Sequence, residues 1–179
     1  ADSSYGKAIL CELDGTGCGS ENIFRAAVTT YIDTELTSEN ELVIFSNWGT
    51  SDYSRMTFLN PSDLTLIRSR AINPTYTCNN AYLVIFEASD NNLKMNYRDN
   101  CNSGKGTFVS CDIFGSNCGS NITYSGTEQG NFNSFIEIEG ENKLFTIFRD
   151  SSGDGRFIFY NLTGGELSTL QELVGSSGT

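Results

Sequence analysis

Three stretches of the chain carry the same short, largely apolar run: Leu42-Val43-Ile44-Phe45, Leu83-Val84-Ile85-Phe86 and Phe145-Thr146-Ile147-Phe148. Each lies between two polar turns. After the second turn a basic residue opens another run, at Arg55, Lys94 and Arg156, and Lys7 opens a fourth copy near the start. Runs this short, rich in β-branched and aromatic residues, predict strands. A continuous apolar tetrad suits a strand buried on both faces, and the alternating runs after it (55–60, 94–99, 156–161) suit half-exposed strands further out. Further candidate strands lie upstream at 27–32, 69–72 and 134–138, and downstream at 64–67, 107–110 and 167–170.

The pattern predicts a four-strand unit used three times, with half a unit in front. The basic positions 7, 55, 94 and 156 are 48, 39 and 62 residues apart. The first two intervals fit the roughly 40–50 residues of a propeller blade, and the third contains an extra loop at 111–118. The expected fold is therefore all-β, a propeller-like array of about three and a half four-stranded antiparallel blades. Its divisions are a half blade over 1–26 and blades over 27–68, 69–126 (with the inserted loop) and 127–179. A β-sandwich is the alternative. Three and a half blades leave sheet edges unpaired. Pairing across subunits would satisfy them, and a head-to-tail contact that does not close gives a filament.

Cysteine spacing adds a compartment. Cys11 and Cys18 share a spacing with Cys111 and Cys118, each pair is followed by Gly-Ser, and Cys78 and Cys101 remain. Six cysteines allow 15 pairings. The repeated spacing favours disulfides 11–18, 111–118 and 78–101 over a metal site, which wants tighter Cys-x₂₋₄-Cys pairs. Disulfides point outside the cytoplasm, and the start Ala-Asp-Ser-Ser suits a mature terminus after cleavage. Two sequons, at Asn121 and Asn161, would accept N-glycans.

Charge and composition narrow the function. Of 179 residues, 22 are Asp or Glu, 11 are Lys or Arg, and none is His, a net charge of −11. The missing histidine excludes Ser-His-Asp triads, Cys-His pairs and His-ligated zinc. The acidic balance argues against nucleic acid and anionic membrane surfaces, and no apolar run is long enough to insert in a bilayer as a helix.

The pattern around Leu83–Val84–Ile85–Phe86, with Ser89-Asp90-Asn91-Asn92-Leu93-Lys94 and Ser152-Gly153-Asp154-Gly155-Arg156-Phe157, resembles extracellular β-propeller repeats of the degenerate Asp-box or sialidase-like kind. The full box, Ser-x-Asp-x-Gly-x-Thr-Trp, is absent. The resemblance implies a fold, not an activity.

Candidate chemistry is sparse. Asp150, Ser152 and Asp154 alternate around a Gly turn and make calcium the one cofactor suggested; a hairpin turn whose Asp accepts backbone N–H bonds is the simpler account. Glu137 and Glu139 share a strand face and are the nearest approach to a glycosidase pair, but a solvated face explains them. Trp48, Asp52 and Tyr53 on one loop, and Asp90 and Asn91 on another, form a palette for glycan or protein contact. The expected protein is a secreted, non-enzymatic recognition or assembly module at a cell surface, binding glycans or proteins through blade loops. The alternatives are a subunit of an extracellular filament or surface layer, a homo-oligomer built through sheet edges, and last a glycoside hydrolase fragment.

Overall fold

The computed structural model describes residues 5–48, 54–72, 81–124, 131–163, 165, 168–169 and 171–174. Its strands are β1 (Tyr5–Ala8), β2 (Asn22–Leu36), β3 (Leu42–Trp48), β4 (Ser54–Leu59), β5 (Leu66–Ala71), β6 (Ala81–Glu87), β7 (Asn92–Asp99), β8 (Lys105–Asp112), β9 (Ile122–Thr123), β10 (Asn131–Ile138), β11 (Lys143–Arg149), β12 (Gly155–Asn161) and β13 (Gln171–Val174). They form antiparallel sheets in the orders β1-β2-β3-β4-β5, β6-β7-β8-β9 and β10-β11-β12-β13. The all-β array of antiparallel sheets, two of four strands and one of five, agrees with the expected fold class.

A shared irregularity fixes which strands correspond. The pairing of each sheet's first full-length strand slips between Thr30 and Asp33, between Ala81 and Val84, and between Asn131 and Ser134. Tyr31 and Tyr82, inside the first two slips, both have positive φ, 49° and 54°. This aligns β2, β6 and β10 as first strands, followed by β3, β7 and β11, then β4, β8 and β12. Leu42, Leu93 and Leu144, 51 residues apart, then occupy one position, opposite Leu36, Glu87 and Glu137.

That register corrects three readings of the pattern. The apolar tetrads are not equivalent: 83–86 lies in a first strand, β6, whereas 42–45 and 145–148 lie in second strands, β3 and β11. Two of the runs that follow them are not half-exposed, while 156–161 alternates buried and half-buried residues as expected. Leu93 to Tyr97 of β7 and Met56 to Leu59 of β4 are buried, because sheets pack on both their faces. The candidates 64–67 and 69–72 are one strand, β5, and the last strand of the third sheet is β13 rather than 167–170, of which Leu167 and Leu170 lie outside the described residues.

The front of the chain repeats the outer half of a blade. Gly6 lies so close under Phe24 that a Cβ would come within 2.5 Å of its ring, and Gly106 lies under Tyr124 at 2.3 Å. Cys11–Cys18 and Cys111–Cys118 each close a loop with Cα atoms 4.0 Å apart. The Gly19 N–H donates to Leu10 O at 2.8 Å, as Gly119 does to Ser110 O. So β1 and the start of β2 correspond to β8 and β9, and β2 then runs on into the first full blade. The intervening outer turns are closed differently. Asn60 Oδ1 accepts from the Ser62 N–H and hydroxyl at 3.0 and 2.8 Å, and Asn161 Oδ1 accepts from those of Thr163 at 3.0 and 2.7 Å. Thiol-closed and Asn-closed blades alternate.

Two cores join the three sheets. Val43, Phe45, Met56 and Phe58 of the first pack on Leu83, Ile85, Met95, Val109 and Cys111 of the second. Phe108 and Tyr124 of the second pack on Phe135, Leu144, Phe148, Ile158 and Tyr160 of the third. Polar groups are buried between these layers with partners. The Lys94 ammonium, 1 % exposed, donates to Asp90 Oδ2 at 2.7 Å, Ser110 Oγ at 2.9 Å and Leu162 O of the third sheet at 2.7 Å. Asn96 donates to Thr146 Oγ1 at 2.9 Å and accepts from the Tyr124 hydroxyl at 2.7 Å.

Removing one partner of a buried charge strands the others. Lys94→Met should destabilise the fold by about 2–4 kcal/mol, read as a lower urea midpoint. A midpoint unchanged by the substitution would show that Lys94 does not tie the second sheet to the third.

Candidate functional site

The same alignment shows which blade faces are left uncovered by the described residues. Ile9 and Leu13 occupy the places of Val109 and Ile113. Val109 and Ile113 are 0 % and 8 % exposed, covered by the first full blade; Ile9 is 48 % exposed and Leu13 fully exposed. Ile32, at the place of buried Leu83, is also exposed, as is Leu36. The leading side of the array is thus an apolar sheet face. At the trailing side, Phe145, Ile147, Phe157 and Phe159 take the places of Val43, Phe45, Met56 and Phe58. Their first-blade counterparts are buried, but these four are only half-buried, with exposed Ile136 beside them. The rings of Phe145, Phe157 and Phe159 pack with centroids 5.2 to 5.9 Å apart.

Between blades, carboxylates act as clasps. Glu87 accepts from the Ser38 N–H and hydroxyl, both at 2.6 Å, and Glu137 accepts from the Ser89 N–H at 2.8 Å and from its hydroxyl. Asp33 accepts from the Ile85 N–H of β6 at 2.8 Å. Glu137 is therefore a tie between sheets rather than part of a solvated face. Glu35, Glu87, Glu137 and Glu139 line one shallow recess where these turns meet. Burial, then the charges of Glu87 and Asp33, raise the Glu35 carboxyl above the usual carboxylate range.

The candidate loop residues do not converge. Trp48 ends β3, while Asp90 and Asn91 lie in the β6–β7 turn, which corresponds to the β2–β3 turn at the other end of β3. Seven residues of strand, about 20 Å, separate those ends. Asp90 is committed to Lys94, and exposed Asn91 sits at φ 55°, shaping the turn. Asp52 and Tyr53 lie outside the described residues.

The turn from Asp150 to Arg156 does not fit a calcium ion. Asp150, 2 % exposed, already accepts from the Ser152 and Asp154 N–H groups at 2.9 Å each through Oδ1, and from Arg156 Nε at 2.8 Å through Oδ2. Arg156 also lies 3.8 Å from Asp154 and 2.8 Å from Glu172, so a guanidinium supplies the positive charge there. Gly153, at φ 95°, makes the turn. Among the described residues no cluster of three His, Cys, Asp or Glu is placed to hold a metal.

Cys11–Cys18 and Cys111–Cys118 are formed, and Cys101 is also disulfide-bonded; Cys78 lies outside the described residues. The Cys111–Cys118 loop leans on the first blade, where Arg68 Nε donates to Phe114 O at 3.0 Å and its guanidinium covers the Phe58 ring at 3.9 Å. Of the sequon residues, Asn121 is half-buried against the Tyr97 hydroxyl, and Asn161 shapes its own turn. Asn121 and Thr123 line a 610 Å³ groove with Asp99, Asn102 and Cys101. Sequence reasoning passed over the clasps and the open faces, although the 100-residue spacing of the Cys pairs already marked the blades that correspond.

No protein-family model and no curated protein matches the sequence. Solved structures do. An exo-β-1,3-galactanase from Clostridium thermocellum matches at 16 % identity and TM-score 0.54, over 83 % of this chain and 35 % of that one. Prolyl oligopeptidase B from Galerina marginata matches at 13 % identity and TM-score 0.54, over 97 % of this chain and 23 % of that one. BBS1N, solved in complex with ARL6DN, matches at 14 % identity and TM-score 0.56, over 96 % of this chain and 50 % of that one. At these identities the likeness concerns fold, and the fold is β-propeller-like. The chain spans half or less of each of those proteins.

The Asp150–Arg156 tie has a pH signature. Burial opposes ionisation of Asp150, but the bonds from Arg156, Asp154 and Ser152 outweigh it and hold its carboxyl below the usual range. Its stabilisation is full above the unfolded value of about 4 and is lost as pH falls through the lower folded value. Melting temperatures of wild type should fall faster below about pH 4 than those of Asp150→Asn. Parallel acid limbs would show that the pair adds nothing.

Proposed function

We propose that the chain is an extracellular, non-enzymatic recognition and assembly module that meets a protein partner through its open sheet faces. The carrying observation is the contrast between corresponding positions: Ile9 and Leu13 are exposed where Val109 and Ile113 are buried. Exposed apolar sheet faces of this extent mark interaction sites. The two disulfides are compatible with an oxidising compartment, and no helix among the described residues is long and apolar enough to cross a membrane. The Asp-box kind of propeller is supported by one turn pattern shared by 37–41, 88–92 and 150–154, in which the first residue's N–H and C=O both bond within the turn. Hydrolysis lacks support, since Glu137 and Glu87 are occupied as clasps.

A second reading, glycan binding, draws on the polar groove beside Cys101, where Asn102 Nδ2 donates to Thr123 Oγ1 at 3.1 Å and planar sugar hydroxyl partners cluster.

The protein reading predicts that the native chain at neutral pH binds an apolar dye such as bis-ANS while keeping native circular dichroism, and that Leu13→Lys with Ile136→Lys lowers that binding severalfold. It also predicts no retention on a glycan array and no sugar turnover. Absent dye binding, or glycan retention abolished by Asn102→Ala, would replace it with the glycan reading.

A further inference from the structure

We infer that the partner for both open faces is a second copy of this chain, joined head to tail, with the trailing face of one copy's third blade seated on the leading half blade of the next. This rests on the reading of the open faces as recognition surfaces and names their occupant.

The chain already contains this interface once. Its first and second full blades meet through the trailing residues Val43, Phe45, Met56 and Phe58 on one side. The leading residues Leu83, Ile85, Met95, Val109 and Cys111, with Gly115 of the thiol-closed loop, meet them from the other side. Within that contact Gly115 of the loop sits against Met56 and Phe58, with room for no Cβ at its φ of 67°. Among the described residues, the trailing half recurs on the third blade, and the outer part of the leading half, which holds Val109 and Cys111, recurs on the front half blade. The third blade, Asn-closed like the first, presents Phe145, Ile147, Phe157 and Phe159 in the four trailing places. The front half blade, thiol-closed like the second, presents Ile9, Cys11 and Leu13 in the leading places, with Gly15 (φ 79°) where Gly115 stands. A trailing Asn-closed face and a leading thiol-closed face are the pair the chain joins internally.

The halves differ from each other, so the contact is heterologous: it uses a different surface on each copy and can repeat. The named contact positions are apolar on both sides, and the exposed Lys143–Glu141 pair flanks Phe159 at the trailing side. The Cys11–Cys18 loop holds Leu13 outward with a fixed shape, as its counterpart holds Ile113 against the first blade.

The test uses the full chain and two exposed substitutions, one per face: Ile136→Lys at the trailing side and Leu13→Lys at the leading side. Light scattering of wild type should show a mass that rises with concentration to at least twofold by roughly 100 micromolar, the range of a modest interface. Each variant alone should stay monomeric, with unchanged melting temperature because both positions are exposed. An equimolar mixture should form a dimer and stop there, since only one intact contact remains. If Ile136→Lys lowers the melting temperature, Ile9→Lys replaces the pair's folded control and Phe159→Lys its trailing partner. A wild type that stays monomeric, an assembly that neither variant disrupts, or a mixture that remains monomeric overturns the inference. Dye binding by a monomeric wild type would leave the protein reading standing while removing the second copy as occupant; a monomeric wild type that binds no dye would remove both.

Discussion

Every sheet in this chain is apolar on both faces, so no blade is stable by itself. Met95 and Val109 face the first sheet from the second, while Phe108 and Tyr124 face the third. A sheet of this kind gains its burial only from neighbours on each side. The array therefore holds its shape through the layers between sheets more than through the ladders within them. Two polar groups buried in those layers, Lys94 and Asn96, are bonded across the gap, which fixes how the second sheet is set against the third. The Glu87–Ser38 and Glu137–Ser89 clasps do the same at one end of the blades.

From that constraint the open faces follow. Inner blades satisfy both faces; the outermost ones satisfy one. The exposed Ile9, Leu13 and Ile32 stand at places that are buried in the second blade, and no layer covers them among the described residues. The acidic surplus, −11 over the chain, includes the turn and clasp carboxylates, and on the trailing side the apolar positions lie beside the Lys143–Glu141 pair. Burial here is a property of context, and the same residue type in the same structural place changes from core to surface between one end of the chain and its middle.

Much of this was legible in the residues. The strands at 42–45, 83–86 and 145–148, the short disulfide loops and the propeller-like array could all be read, because a doubly buried strand leaves a continuous apolar run and a local disulfide leaves a fixed spacing. Strand rank could not. A tetrad such as 83–86 looks the same in a first strand as 42–45 does in a second, since both are covered on two sides. Lys94 read as a basic residue opening an outer strand; in the fold it is buried, because three acceptors from separate segments converge on it, and no local pattern announces a convergence of that range. The turn at Asp150 shows the reverse case: alternating oxygens suggested a cation, but the cation present is Arg156, six residues on, within reach of the same carboxylate.

The alternation of loop chemistry gives the array a period of two sheets. Cys11 and Cys111, Cys18 and Cys118, and Gly6 and Gly106 recur at 100 residues, close to twice the 51-residue spacing of the sheets. Parity therefore enters the packing: an array with one sheet more or fewer in its middle would set like beside like, spoiling the seat that Gly115 finds against Met56 and Phe58.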